Sequence, residues 1–107
     1  MGINALGFRA VQDRTFFVAD ADCCGLADKG SVPWEKNSQW LDLLSRSGTA
    51  LFVSWRRDLA DEAFRTALSK AFKTAACGEK TGEPLDWLKT KSPAHWRLAG
   101  NETVYEW

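Results

Sequence analysis

Two short runs, "TFFVA" at 15–19 and "TALFVSW" at 49–55, constrain this chain more than any other feature. Both are rich in β-branched and aromatic residues, and neither alternates apolar with polar. A strand without alternation reads as covered on both faces, as in a parallel sheet. Parallel neighbours need a long crossover, and the stretch between the runs has the pattern of a helix. Pro33 suits a first helical turn, Trp40, Leu41, Leu43 and Leu44 form an apolar stripe, and Gly48 is placed as a C-terminal cap. A second helix follows the second run. Asp58 or Asp61 caps it, Phe64, Leu68 and Phe72 recur every four residues as its core stripe with Ala67, Ala71 and Ala75 beside them, and Gly78 closes it. The expected order is strand, helix, strand, helix.

Around this unit the pattern is weaker. Residues 1–14 carry Ala5, Leu6 and Phe8 in a weakly helical arrangement. Residues 79–107 hold two prolines, two glycines and three tryptophans, and read as a turn-rich tail with one or two short strands, the last being "TVYEW". The division is therefore 1–78, a βαβα segment, and 79–107, a tail in which Trp87, Trp96 and Trp107 pack over an exposed face. Two parallel strands do not complete any common sheet: a barrel needs eight and a doubly wound sheet five or six. Open apolar edges invite association. The fold class expected is α/β, part of a larger repetitive βα structure or a chain that pairs with itself.

Composition excludes several functions. The 107 residues are 45% hydrophobic and 26% charged, which is globular rather than disordered. Fourteen basic residues balance fourteen acidic ones and are scattered, so nothing points to nucleic acid or to an anionic membrane surface. No apolar stretch approaches the roughly 20 residues of a membrane span, and no basic start leads into an apolar run. Three cysteines cannot close into pairs, adjacent Cys23 and Cys24 are poor disulfide partners, and no His or Cys set stands at metal-ligand spacing. We expect reduced thiols, no metal and no cofactor; read as a complete chain, it would be cytoplasmic.

The chemistry-bearing residues gather where the two runs end. After the first come Asp20, Asp22, Cys23 and Cys24; after the second, Arg56, Arg57 and Asp58. Asp20 and Asp22 share a face if the chain stays extended, because side chains repeat every second residue. Asp20 can instead anchor its loop by accepting backbone amides. Arg56 can reach a sugar hydroxyl or the Asp22 carboxylate across neighbouring strands, though a solvated loop is the commoner fate of such a pair. Trp34 and Trp55 can stack on a pyranose face, with core packing the commoner outcome. His95, the only histidine, stands far along the chain beside Trp96 and reads as a packing or surface residue.

The stretches "FFVADADCCGL" and "WEKNSQWLDLLSRSGTALFVSWRRDL" resemble the last two βα units of α-galactosidase-like glycoside hydrolases, which are (β/α)8 barrels. Asp20-Ala21-Asp22 followed by Cys23 takes the place of the Asp-Pro-Asp motif that ends the seventh strand there. Trp40, Ser47-Gly48, Ala50 to Ser54 and Asp58-Leu59 follow the family's plan through the eighth strand. Residues 15–76 carry the match; Ala21 for Pro and the paired cysteines depart from it. The tail "PLDW…W…YEW" looks like the carboxyl end of bacterial members.

The resemblance implies a retaining hydrolase whose two carboxylates, about 5 Å apart, flank the glycosidic bond. Those carboxylates belong to the fourth and sixth strands, which precede everything present here. The chain would then supply one wall of a galactoside-type sugar pocket through Asp22, with Cys23, Asp20 and Arg56 as further contacts, and no catalytic group. The alternative is a small independent α/β protein acting through self-association or partner binding.

Overall fold

The computed structural model describes residues 2–26, 32–55, 61–77 and 82–107. Helix α1 (Gly2–Arg9) runs into a 3-10 turn at Ala10–Gln12. Strand β1 (Cys24–Leu26) leads through α2 (Trp34–Ser47) to β2 (Val53–Trp55), and α3 (Glu62–Cys77) follows. The chain ends in β3 (Glu83–Pro84), β4 (His95–Leu98) and β5 (Asn101–Val104). The fold is mixed α/β, with a two-stranded parallel sheet, β1–β2, and a three-stranded antiparallel sheet in the order β3-β4-β5.

The parallel pair forms as expected, but further along the chain than the first apolar run. Cys24 lies opposite Val53, Gly25 opposite Ser54 and Leu26 opposite Trp55, and an isolated parallel bridge joins Asp20 to Ala50. Thr15–Ala19 is a turn region instead of a strand, with Phe16 83% and Val18 71% exposed. Register explains the correction. With Asp20 opposite Ala50, Val18 would fall opposite Gly48, whose left-handed conformation (φ +82°) ends α2. The second segment has no extended backbone left to offer. The first folds back on itself: Arg14 N–H donates to the Phe17 carbonyl at 2.7 Å, and Ala19 N–H to Asp13 Oδ1 at 2.6 Å. Nor are the paired strands covered on both faces, since Gly25, Ser54 and Trp55 are exposed.

Helix α2 follows its sequence signals closely. Pro33 precedes it, the Lys36 and Asn37 amides bond to the Pro33 carbonyl, and Gly48 takes the C-cap. Leu41, Leu43 and Leu44 are buried at the centre of the molecule. Asp61 caps α3 by accepting the Phe64 amide at 2.7 Å; Asp58 and Gly78 lie outside the described residues. The α3 stripe needs correction at Phe72. The helix buries Leu68 and Ala71, while Phe72 is exposed. Alanines at 67 and 71 give α3 a small-residue face that turns toward α2, leaving Phe72 on the flank.

The tail is more ordered than its composition suggests. Strands β4 and β5 meet through Ala99 (φ +51°) and Gly100 (φ +84°), a two-residue loop with positive φ at both positions that matches the twist of a hairpin. Trp96 is fully buried, with its indole N–H donating to the Pro93 carbonyl at 2.9 Å. Trp107 donates to the same carbonyl at 2.8 Å and stacks on Tyr105, while half-buried Trp87 meets Phe8 edge-on. The described part of this segment, 82–107, is packed into the rest: Gly7 abuts Pro93, Ser92 bonds Asn4, and Glu106 N–H donates to Gln39 Oε1 at 2.7 Å.

One polar network fastens β5 to α2. Tyr105 Oη donates to Asp42 Oδ2 at 2.7 Å, Arg46 donates to the same oxygen at 3.0 Å, and Arg46 reaches Thr103 Oγ1 at 3.2 Å. Burial first, and the Asp42 carboxylate second, push the Tyr105 phenol well above its ordinary range. Tyr105→Phe keeps the packing and removes the shared bond. We expect a loss of about 1 kcal/mol, read as a fall in Tm of about 5 °C by circular dichroism.

Candidate functional site

The acidic stretch before β1 owes its shape to one extra residue. From the Asp20–Ala50 bridge to the Cys24–Val53 pair, the first segment advances four residues and the second three. The surplus is absorbed at Asp22, which sits at φ +73°. Asp is among the few residues that enter this left-handed region readily, because its short side chain bonds locally. Here two such bonds hold it. Asp20 Oδ1 accepts the Asp22 amide at 2.8 Å, and Asp22 Oδ1 accepts the Cys23 amide at 2.7 Å. Asp20 thus anchors the loop through a backbone amide.

The irregularity turns Asp20, Asp22 and Cys23 all outward, between buried Ala21 and buried Cys24. Simple extended alternation does not persist through Asp22, so the shared exposure of the two aspartates with Cys23 comes from a bulge-like step. Each carboxylate spends one oxygen on the backbone. The other oxygen has no protein partner among the described residues and is open to a hydroxyl or an amide donor.

The placement along the strands differs from the sequence expectation. The aspartates were expected where a strand stops; they precede the paired strand. The carboxyl end of the parallel pair, where ligands of open α/β sheets gather, is formed by Leu26 and Trp55. Arg56, with Arg57 and Asp58, follows directly in sequence and lies outside the described residues, as does the expected approach of Arg56 to Asp22.

The thiols differ from one another. Cys23 and Cys77 are exposed, Cys24 is buried, and all three are free. Burial, with a smaller contribution from Cys23, pushes the Cys24 thiol up to about 12. A thiol held protonated at neutral pH is a packing group and not a nucleophile. His95 is taken up by the tail sheet, its Nε2 lying 2.9 Å from Glu102 Oε2 in a row continued by Arg97 and Glu83. Among the described residues no group of three or more His, Cys, Asp or Glu could hold a metal ion, and no helix is long and apolar enough to cross a membrane.

Trp34 and Trp55, for which core packing was the commoner expectation, are both substantially exposed. Trp34 leans on Phe64, with ring centroids 5.6 Å apart. Trp55 lines a groove of about 670 Å³ together with Phe64, Leu68, Phe72, Arg65 and Lys73 of α3. Sequence reasoning missed this groove. The signal lay in the alanines at 67 and 71, which mark the face α3 turns toward α2 and so release Phe72. Comparison of the chain with family models, curated proteins and solved structures finds no match.

Proposed function

We propose that this chain is the closing βα portion of an α-galactosidase-like (β/α)8 glycoside hydrolase, contributing a wall of the sugar pocket and neither catalytic carboxylate. The observation that carries this reading is the parallel β1–β2 pair joined through α2 and followed by α3, with aromatic residues left uncovered along it. A closed barrel places such side chains against neighbouring βα units. The step at Asp22 adds support, because bulges near active sites re-aim side chains. In this reading Asp22 accepts hydrogen bonds from sugar hydroxyls through its open oxygen, Asp20 holds the loop, and Cys23 and Arg56 border the same cavity.

Hydrolysis of an aryl α-galactoside tests the proposal. The purified chain alone is expected to show no turnover above background. Joined to six preceding βα units encoded upstream, it is expected to support turnover that Asp22→Asn lowers at least tenfold, as losing a bond to a charged group does. Turnover by the chain alone, abolished by Asp22→Asn, would overturn the reading. The second reading, a protein acting through association, is favoured by the exposure of Phe16, Phe52, Trp55 and Phe72.

A further inference from the structure

We propose that the groove between β2 and α3 receives the Phe16 turn of a second copy of this chain, so that copies associate head to tail. The groove is lined by the apolar Trp55, Phe64, Leu68 and Phe72, and its charged lining residues, Arg65 and Lys73, are both basic. Trp55 is 47% and Phe72 43% exposed. Helix α3 with its cap Asp61 carries two acids, Asp61 and Glu62, against Arg65, Lys70 and Lys73, an excess of one positive charge. Its natural occupant is therefore an apolar projection flanked by acid.

The chain itself displays such a projection. Among the described residues Phe16 (83%) and Leu88 (82%) are the most exposed large apolar side chains, and Val18 follows at 71%. Of these, Phe16 and Val18 are followed in the chain by the exposed carboxylates of Asp20 and Asp22, whereas Leu88 is followed by Lys89 and Lys91. The segment 15–26 contains those two acids and no base, an excess of two negative charges. The turn is preorganised by the Arg14–Phe17 backbone bond and the Asp13–Ala19 bond, so little ordering entropy is lost when it docks.

One copy cannot satisfy its own groove. Phe16 precedes the Asp20–Ala50 bridge, whereas Trp55 is the last residue of β2, so projection and groove sit toward opposite ends of the parallel pair. Groove against groove would oppose lysine to lysine, and turn against turn would oppose four carboxylates. Unlike charges meet only when turn enters groove, a heterologous contact of the kind that builds rings or chains. The inference concerns the chain by itself and does not rest on the carbohydrate reading.

Sedimentation and light scattering of the purified chain, from micromolar to sub-millimolar concentration, test it. The weight-average mass of wild type is expected to rise with concentration. Phe16→Ser and Phe72→Glu each replace an exposed side chain, and each is expected to weaken association about tenfold or more while leaving the circular dichroism spectrum unchanged. Lys73→Glu gives a second groove variant whose apolar packing is untouched, with the same expected direction. The decisive sample is an equimolar mixture of Phe16→Ser and Phe72→Glu. One variant keeps its groove and the other its projection, so the mixture should recover a one-to-one complex and stop there. A wild type that stays monomeric throughout, a Phe16→Ser chain that associates like wild type, or a mixture that recovers nothing would each overturn the proposal.

Discussion

Trp96→Ala is expected to abolish the cooperative unfolding transition of this chain at room temperature, or to lower Tm by more than about 15 °C. Trp96 is fully buried on the central strand of the antiparallel sheet, in one cluster with Leu43, Leu44, Leu98 and Tyr105. Removing a buried tryptophan costs about 3–5 kcal/mol through lost transfer energy and the cavity left behind. The substitution also strands the Pro93 carbonyl with only the Trp107 donor. Small domains hold about 5–15 kcal/mol in total, so a chain at the lower end would not remain folded. Trp55→Ala is the control: its ring is nearly half exposed, and the expected change stays within about 1 kcal/mol. Equal losses from the two substitutions, followed by thermal circular dichroism, would show that β4 is not the centre of the fold.

The contrast between these two tryptophans shows what was legible in the sequence. Helix α2 was readable nearly to the residue, because its signals are local: Pro33 at the start, an apolar stripe, and Gly48 where only positive φ ends the helix comfortably. The parallel relation of the two strand regions was readable from the crossover between them. Their register was not, since it depends on where a distant partner stops being helical. "TFFVA" has the propensity of a strand, yet Gly48 removes the backbone it would pair with, and the run becomes a turn. Exposure of the aromatic residues was equally hidden. Core packing is the commoner expectation for Trp34 and Trp55, yet both are exposed, whereas Trp96 of the tail is fully buried. At the candidate site, the Asp20 anchor was foreseeable from the habits of Asp in turns. The left-handed step at Asp22 was not, because it follows from a one-residue mismatch between segments thirty residues apart.

Alkaline pH is expected to destabilise the chain through Cys24, and the sign can be worked out from its environment. An unfolded thiol loses its proton near 9.0, whereas burial raises the folded thiol to about 12. Between these values the native state binds the proton and the unfolded state has released it. Unfolding then becomes easier as pH rises, by up to about 1.4 kcal/mol per pH unit. Stability attributable to this group is complete below pH 9 and is lost progressively on the way to pH 12. Tyr105, whose phenol is also raised by burial, adds to the decline at the upper end of the range. Urea unfolding from pH 7 upward should show the loss in wild type and a flatter profile in Cys24→Ala, which lacks the titrating thiol and whose small cavity carries only a pH-independent cost. Thiol reagents at pH 8 should modify Cys23 and Cys77 quickly and Cys24 only as the chain opens. Three thiols reacting at one rate, or an unchanged alkaline slope in Cys24→Ala, would mean that β1 is not packed beneath α2, and the acidic step at Asp20–Asp22 would lose the strand that positions it.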